Sequence, residues 1–272
     1  MNPRFSLALV ALLLIGGAVA LWWNDRQPSA TPHAEPIAVP SRDSSAATPV
    51  SGRAGAAAIP PQALVLAISW HPAFCETQPR KPECRNERGS DYGATHLTLH
   101  GLWPDDEYCG VGDGPYDLDV AGRWDELAEP DLTRATRASL DRVMPGTADN
   151  LHRHEWIKHG TCSYTDAENF YGAAIALVEA VNTSAVGDLF AQSLGNRLTR
   201  DDIRDAFDAA FGRGAGRKVR LNCEQDGSRG LVSELRINLY GSPTADLATL
   251  LRTANDASAG CSGGLIDRVG DQ

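Results

Sequence analysis

Two short clusters hold most of the residues in this chain that could carry chemistry. The first, residues 96–104, reads HLTLHGLWP, and the second, residues 154–162, reads HEWIKHGTC. Together they offer histidines that could transfer protons, a carboxylate and a lysine that could stabilise charge, and tryptophans that could stack on a planar ligand. This set of groups would suit the cleavage of a phosphodiester without a metal ion.

The spacing within the second cluster favours a shared patch of side chains. Residues 150–159 show no strand alternation, and Gly160 could cap a short helix there. In such a helix Lys158 and His159 follow Glu155 by three and four residues, so the three side chains project from one face. A salt-bridged, solvated helix face would show the same spacing. The tryptophan and the cysteine of the cluster indicate a partly buried segment instead, which favours a functional patch.

Zinc is one alternative for the second cluster, since its histidines and carboxylate resemble a ligand set. The H-E-x-x-H pattern of zinc hydrolases places its second histidine four residues after the first, and that position here is Lys158. At about 100° per residue in an α-helix, His159 would lie well off the face of His154. The lysine would also repel a cation, so the spacing argues against a metal site.

The first cluster carries His100, and either this residue or His96 could be an ordinary core histidine. Gly101 allows close approach of the backbone, and residues 103–105, Trp-Pro-Asp, form a rigid aromatic and acidic corner. A base stacked on Trp103, with Asp105 accepting hydrogen bonds from its edge, would suit single-stranded RNA. These neighbours favour a ligand-facing role for His100.

The N-terminal segment differs from the rest of the chain. Within residues 1–23, Arg4 is followed by 19 uncharged residues, as in an export signal or a membrane anchor. Residues 18–20, Ala-Val-Ala, favour a cleaved signal, whereas the length of the run and Trp22 near its end suit a retained helix. Residues 24–61, rich in alanine, proline, serine and threonine, are predicted to be a disordered linker.

The remaining residues, 62–272, are predicted to form a single domain. The formal net charge of the chain is −10, which argues against a general affinity for nucleic acid because an acidic surface repels a polyanion. Any RNA or DNA site must therefore be a local cationic pocket.

Strands and helices are interspersed along this domain without a glycine-rich phosphate loop or a regular βαβ rhythm, which favours the α+β class. Thr199 is expected to cap the last predicted helix, and the second strand is expected to end where His100 begins the first cluster. The predicted strands cover residues 63–70, 95–99, 218–221 and 231–239, and the predicted helices cover 170–181 and 199–211.

A nucleophilic cysteine is a further alternative, with His159 as the base for Cys162. However, an export signal and a membrane anchor would each place the domain outside the cytoplasm, where thiols oxidise. The chain also has an even number of cysteines, six, as disulfide pairing requires. We therefore expect Cys162 to be in a disulfide. Six cysteines allow 15 pairings, and their spacing does not choose among them.

The two clusters resemble the active-site segments of the ribonuclease T2 family, in the right order and at a fitting separation. Residues 69–75, SWHPAFC, are similar to the first strand of that family, so the resemblance covers residues 62–261. It implies a central, mainly antiparallel sheet flanked by helices in one disulfide-stapled domain. It also implies an endoribonuclease of low base specificity that needs no metal and no cofactor.

Carried over residue by residue, the resemblance implies that His100 and His159 are the catalytic acid and base. Glu155 and Lys158 would stabilise the charged phosphorane, and His154 would help to hold the phosphate. His159 would take the proton of the ribose 2′-OH, whose oxygen attacks phosphorus, and His100 would protonate the leaving 5′-oxygen. The product is a 2′,3′-cyclic phosphate that is then hydrolysed to a 3′-phosphate. DNA lacks the nucleophile and should be inert.

The resemblance also implies a base-binding site and a set of disulfides. Trp103 and Asp105 correspond to the first base-binding site, and Tyr108 or Tyr116 could supply its second aromatic ring. The middle disulfide would tie the first cluster to the second and fix the distance between their histidines. The implied pairs are Cys75–Cys84, Cys109–Cys162 and Cys223–Cys261.

Together these inferences predict an exported, monomeric enzyme with RNA as its partner. It would be periplasmic or secreted, or tethered to the membrane by residues 5–23. A mildly acidic optimum is expected, because one histidine must be neutral and the other protonated, and because the surface repels RNA less once carboxylates are titrated. The competing class is a binding protein that keeps the fold without catalysis, and the complete set of acid–base groups argues against it.

Overall fold

The computed structural model of the protein describes residues 60–270. The predicted signal or anchor, residues 1–23, and the predicted linker up to residue 59 lie outside the described residues. Within the described range the strands are β1 (Gln62–Ser69), β2 (Thr98–Pro104), β3 (Arg197–Thr199), β4 (Val219–Asp226), β5 (Arg229–Gly241) and β6 (Gly263–Leu265). The α-helices are α1 (His71–Thr77), α2 (Asp113–Val120), α3 (Arg134–Val143), α4 (Leu151–Glu155), α5 (Thr161–Ser163), α6 (Ala167–Asn182), α7 (Ala185–Gln192), α8 (Arg200–Phe211) and α9 (Leu247–Thr253).

The strands form one mixed sheet in the order β2-β1-β5-β6-β3, and β4 also pairs with β5. β1 is antiparallel to both β2 and β5, and β4 is antiparallel to β5, whereas β5 and β6 are parallel. Helices α3, α6, α7 and α8 bury apolar side chains in the same core as the sheet. The predicted α+β class with a mainly antiparallel sheet is therefore confirmed.

Alternation explains which face of the sheet meets the core. Every second residue is a large apolar one from Leu64 to Ile68 on β1 and from Leu235 to Leu239 on β5, and side chains on a strand alternate between the two faces. On β5 the opposite face carries Glu234, Arg236 and Asn238, which makes this face available for chemistry. The buried set on the core face comprises Leu64, Leu66, Ile68, Leu235, Ile237 and Leu239.

The two predicted helices form as expected. α6 places Phe170 and Val178 in the core, and α8 places Ile203 and Phe207 there. α8 begins with a capping box, in which the Thr199 hydroxyl accepts from the backbone N–H of residue 202 and the side chain of that residue accepts from Thr199 in return. The predicted N-cap is therefore confirmed.

The boundary of β2 differs from the prediction. The strand begins at Thr98 and runs to Pro104, so His100 and Gly101 lie within it and not after it. Pairing with β1 continues as far as Pro104, opposite Leu64. Partner strands and not local alternation set the length of this element, which is why the sequence pattern misplaced its end.

The helix predicted for residues 150–159 begins close to its expected start but does not end at Gly160. Residues Trp156–Gly160 form a π-helical turn that joins α4 directly to α5. Gly160 has helical backbone angles, φ −61° and ψ −37°, so it caps nothing. A Cβ atom at this position would lie 2.3 Å from the Trp156 ring and would clash with it. The glycine therefore serves close packing inside a continuous helical segment.

The described residues contain three disulfides, and they are the three pairs that the resemblance implied. Cys109–Cys162 joins the loop after β2 to α5. The others are Cys75–Cys84 and Cys223–Cys261.

No single helix in residues 60–270 is long and apolar enough to cross a membrane. The pair α6–α7, bent by 63°, meets that criterion by length and composition taken together. Both helices place large side chains in the core, among them Phe170 and Phe190.

Candidate active site

A β-bulge places His100 in the site. The residues before and after it pair with consecutive residues of β1, so His100 itself has no partner and is the extra residue of the bulge. Bulges redirect the side chain that they carry. The Nδ1 atom of His100 donates a hydrogen bond of 2.7 Å to Oε2 of Glu234, which lies on β5 on the far side of β1.

Glu234 lies beside a second bulge. On β5, the neighbours of Ser233 pair with consecutive residues of β4, which leaves Ser233 as the extra residue. The Oε1 atom of Glu234 accepts hydrogen bonds from Asn222 at 2.9 Å and from Arg236 at 2.7 Å. Burial alone would raise the pKa of Glu234, but His100 and Arg236 outweigh it and lower that pKa, so the carboxylate stays charged.

The charged Glu234 favours the protonated form of His100. Burial would lower the pKa of His100, but the hydrogen bond to Glu234 and the negative charges of Glu155 and Glu234 outweigh it and raise the pKa above its ordinary value. Of the His100–Glu234 pair, His100 is the side chain that a ligand can reach, because it is 36% exposed. It is therefore suited to donate a proton to a ligand.

Replacing Glu234 with glutamine is expected to move the alkaline limb of the pH–activity profile to lower pH. The activity of a general acid is lost as pH rises through its pKa, and the neutral amide no longer raises the pKa of His100. We expect kcat/KM for RNA to fall about tenfold at pH 7.5 and much less at pH 5. Full pH profiles check this, with Glu179→Gln, on α6 and paired with Arg142, as the matched control. An unchanged alkaline limb in Glu234→Gln would show that this carboxylate does not tune His100.

Glu155 lies at the centre of the site and is 1% exposed. Its Oε2 atom accepts a hydrogen bond of 2.8 Å from Nε1 of Trp103, and its Oε1 atom lies 3.8 Å from Nε2 of His100. Burial raises the pKa of Glu155 to about 7, against the opposing effects of His100, Trp103 and Lys158. This carboxyl group therefore titrates near neutral pH.

Gly101 makes room for that hydrogen bond. A Cβ atom at this position would lie 2.0 Å from Oε2 of Glu155 and 2.3 Å from Nε1 of Trp103. The sequence predicts that Gly101 allows a close approach of the backbone, and the group that approaches is the Glu155 carboxylate.

The π-helical turn carries His159 into the same site. Its ring centroid lies 5.7 Å from that of Trp103 and 6.2 Å from that of His154. Burial and the positive charges of Lys158, His154 and His100 lower the pKa of His159 to about 3. Its Nδ1 atom is buried without a hydrogen-bond partner among residues 60–270, which also disfavours an imidazolium. His159 is therefore neutral and suited to accept a proton.

Lys158 lies at the edge of the site with its side chain partly exposed. Its Nζ atom is 3.5 Å from Oε1 of Glu107, and its carbonyl oxygen accepts a 2.8 Å hydrogen bond from the backbone of Tyr108. That hydrogen bond and the Cys109–Cys162 disulfide both tie the loop after β2 to the helical segment of the second cluster.

The structure places His154 and His159 on the same side of the helical segment, unlike the α-helix that the spacing assumes. The π-helical turn holds more residues per turn, so the rotation per residue is smaller and His159 stays near the face of His154. Ligand atoms of His154, Glu155 and His159 all lie within 4.8 Å of one another. A second group, His71 with Cys75 and Cys84, offers no thiolate because its cysteines are bridged. The absence of a metal in the reaction therefore stays a prediction.

His154 is held in one orientation by α2. Its Nδ1 atom donates to both oxygens of Asp119, at 2.8 and 2.9 Å, and its ring stacks on Trp124 with centroids 4.7 Å apart. Burial lowers the pKa of His154, although the Asp119 carboxylate opposes this effect. The orientation leaves Nε2 free of Asp119, so this nitrogen can serve a ligand.

The four candidate base-binding residues differ in position. Trp103 is partly exposed and forms an edge contact with His100, with centroids 5.1 Å apart. Asp105 is exposed on the loop after β2 and makes no side-chain hydrogen bond or ion pair within residues 60–270. Tyr108 is engaged elsewhere, since its hydroxyl donates to Asp119 at 2.7 Å and its ring lies edge-on to Tyr116. Of these candidates, Trp103 is the one whose ring contacts both His100 and His159.

Sequence reasoning missed Glu234 and Asp119. Glu234 lies within the predicted strand 231–239, where it is one polar residue among several. Asp119 lies in an acidic stretch that reads DGPYDLD and gives no local sign of a role. Both are buried carboxylates bound to a histidine. Burial of an acidic residue was the missing signal, and it depends on elements that are distant in the chain.

A groove of about 790 Å³ opens beside His100. Its walls include His100 and Glu234 and, farther along, Trp124, Arg220 and Arg236. An open groove that passes His100 and carries cationic side chains could accommodate an extended anionic polymer.

Comparisons with known proteins identify the family. The model of the Ribonuclease T2 family matches residues 61–250. Ribonuclease I of Escherichia coli K12 is 30% identical over 199 residues, which cover 64% of this chain and 74% of that protein. Ribonuclease 1 of Arabidopsis thaliana is 27% identical over 166 residues, which cover 58% of this chain and 66% of that protein.

Among solved structures, ribonuclease MC1 from the seeds of bitter gourd aligns with a TM-score of 0.46 and 19% identity, covering 75% of this chain and 99% of that one. The match to the family model extends over most of the chain and includes both histidine clusters. The protein therefore belongs to the ribonuclease T2 family and is an endoribonuclease of that type.

Proposed function

We propose that this endoribonuclease is exported and cleaves single-stranded RNA by metal-independent transphosphorylation, with low base specificity. The observation that carries the proposal is the opposed environment of its two histidines. Glu234 favours the protonated form of His100, whereas burial and nearby positive charge favour the neutral form of His159. At one pH, one side chain can thus donate a proton while the other accepts one.

In the proposed reaction His159 accepts the proton of the ribose 2′-OH, and that oxygen attacks the adjacent phosphorus. His100 gives its proton to the 5′-oxygen as the P–O bond breaks, which leaves a 2′,3′-cyclic phosphate and a free 5′-OH. The phosphate that enters the site raises the pKa of His159, because a nearby anion favours an imidazolium. The cyclic ester is then hydrolysed to a 3′-phosphate with the two roles reversed.

Glu155, Lys158 and His154 stabilise the phosphorane in this proposal. With a pKa of about 7, Glu155 is protonated at mildly acidic pH, so its carboxyl group donates a hydrogen bond to a phosphorane oxygen and does not repel it. Lys158 supplies positive charge from the edge of the site. His154, oriented by Asp119, becomes protonated as the phosphate binds, because a nearby anion favours the imidazolium, and its Nε2 then donates to a phosphate oxygen.

The substrate contacts proposed for the base are stacking on Trp103 and a hydrogen bond to Asp105. Stacking accepts every base, because each base has a π-face, and this supports low specificity. DNA is excluded as a substrate because the nucleophile is the 2′-OH of the substrate itself.

The disulfides support a proposal for the compartment in which the enzyme acts. Three disulfides favour an oxidising compartment, the periplasm or the cell exterior. We propose residues 1–23 as the export signal, or residues 5–23 as a membrane tether, followed by a linker over residues 24–61. Residues 62–272 are then the catalytic domain, and it acts as a monomer because one chain supplies every proposed catalytic group.

RNA cleavage by the full-length protein is expected to continue at an undiminished rate in excess EDTA, because no proposed step uses a metal ion. The first products should carry 2′,3′-cyclic phosphate ends. Digestion with and without EDTA, followed by mass spectrometry of the ends, measures both properties. DNA of the same sequence is the control and should stay intact.

Two outcomes would contradict this proposal in different ways. Cleavage that stops in EDTA and returns with Zn²⁺ would reject the metal-independent mechanism and point to an ion among His154, Glu155 and His159. A folded sample that yields no cyclic ends would instead favour a protein that binds RNA or another partner without cleaving it.

A further inference from the structure

Two arginines stand directly opposite each other on the sheet next to the active site. Arg220 of β4 and Arg236 of β5 are Cα partners in an antiparallel pair, so their side chains lie on the same face. Both are exposed; the Arg236 side chain is 45% exposed. Like charges at such positions destabilise a sheet. The direct pairing of these two positions therefore does not stabilise the sheet.

The ionic partners of the two arginines do not cancel their charge. Arg220 donates to Asn222 at 3.1 Å and to Ser258 at 2.6 Å, and it has no carboxylate partner among residues 60–270. Arg236 donates to Glu234, but that carboxylate is also bound to His100. In a chain with 35 acidic and 25 basic residues, two adjacent guanidinium groups that have only one carboxylate partner between them among residues 60–270 form a local cationic site.

The register of the sheet aligns this site with the catalytic groups. Gly101, Ala67, Arg236 and Arg220 form one row across β2, β1, β5 and β4. Since Ala67 is small, Arg236 can extend over it, and its guanidinium carbon lies 5.1 Å from the centroid of the Trp103 ring. Both arginines line the groove that passes His100. A chain that follows the groove from His100 therefore meets the two arginines.

We propose that Arg220 and Arg236 form a binding site for a phosphate of the RNA backbone that neighbours the scissile phosphate. Guanidinium groups bind phosphate oxygens through paired N–H donors, and a phosphate between them would offset their mutual repulsion. The site adds affinity for substrates longer than a dinucleotide and takes no part in bond cleavage. This inference rests on the proposed function, because it assumes that RNA lies in the groove.

The test compares two substrates that each contain a single ribonucleotide, so that cleavage occurs at one bond. One is a dinucleotide, whose only phosphate is the scissile one, and the other carries four deoxynucleotides on each side of the same linkage. In the full-length protein, Arg220→Ala is expected to lower kcat/KM for the longer substrate about tenfold more than for the dinucleotide. The salt dependence for the longer substrate should weaken as well, by a slope of about 0.7 for one lost phosphate contact.

Arg252→Ala is the matched control, because Arg252 is exposed on α9 and does not line the groove. It should change neither rate. Equal losses on both substrates, or no loss on either, would overturn the phosphate site while the proposed function stands. If the unmodified protein cleaved neither substrate, the proposed function would fail, and the phosphate site with it. Circular dichroism of each variant shows whether a lower cleavage rate is caused by unfolding.

Discussion

Replacing His159 with alanine is expected to lower RNA cleavage by at least about a thousandfold while the protein stays folded. The proposed reaction begins when this side chain accepts the 2′-OH proton, and a positioned general base contributes roughly 10²- to 10⁴-fold. No hydrogen bond to its buried Nδ1 is lost on substitution. His100→Ala should give a loss of the same size, since it removes the proton donor to the leaving group.

The measurement is kcat/KM on RNA, with circular dichroism and the thermal midpoint recorded for every variant. His96→Ala provides the histidine control, because His96 stacks on Tyr92 outside the site and should leave activity in place. Retention of more than about a tenth of the activity in folded His159→Ala would refute its assignment as the base. The same result in His100→Ala would refute the assignment of the acid.

A single methyl group at Gly101 is expected to lower activity by about a hundredfold or more. The new Cβ would lie 2.0 Å from the Glu155 oxygen and 2.3 Å from the Trp103 nitrogen, so one or both side chains must move and their hydrogen bond must break. Loss of one preorganised charge-stabilising contact in a buried site costs roughly 10²- to 10³-fold. In this proposal the same movement shifts the carboxyl group away from the phosphorane.

Gly172→Ala is the matched control for Gly101→Ala. Gly172 is exposed within α6, and a Cβ there meets nothing within 4 Å, so alanine should preserve activity and slightly stabilise the helix. Assays of cleavage rate and thermal midpoint on both variants separate a damaged site from a damaged fold. Wild-type activity in Gly101→Ala would show that the Glu155–Trp103 contact is not needed for catalysis.

Local patterns in the sequence predicted much of the fold. A compact apolar run located β1, alternation located β5, and an apolar stripe with a threonine cap located α8. These signals work because they depend on neighbours within a few residues. The limits of β2 were missed because its partner strand sets them, and the turn that carries His159 was missed because tertiary packing and not helix propensity selects a π-helix there.

The same distinction applies to the site. The two histidine clusters were found because each is contiguous in sequence, and the structure brings His100, Glu155 and His159 together. Glu234 lies 134 residues from His100, and Asp119 lies 35 residues from His154. Such pairs exist only once the sheet and α2 are in place. A single sequence contains the histidines but gives little indication of the carboxylates that orient them.

The bulge at His100 makes the sheet less regular and, in the proposed function, supplies a catalytic group. β2 holds one residue more than its pairing with β1 needs, and that residue is the proposed acid. A shortened strand without it would pair continuously, because the flanking residues already face consecutive positions of β1. Such a deletion would improve the ladder and remove the proton donor. Selection for stability alone would therefore favour loss of this residue. Its presence indicates a trade-off, in which a less regular strand retains the group that the proposed reaction needs.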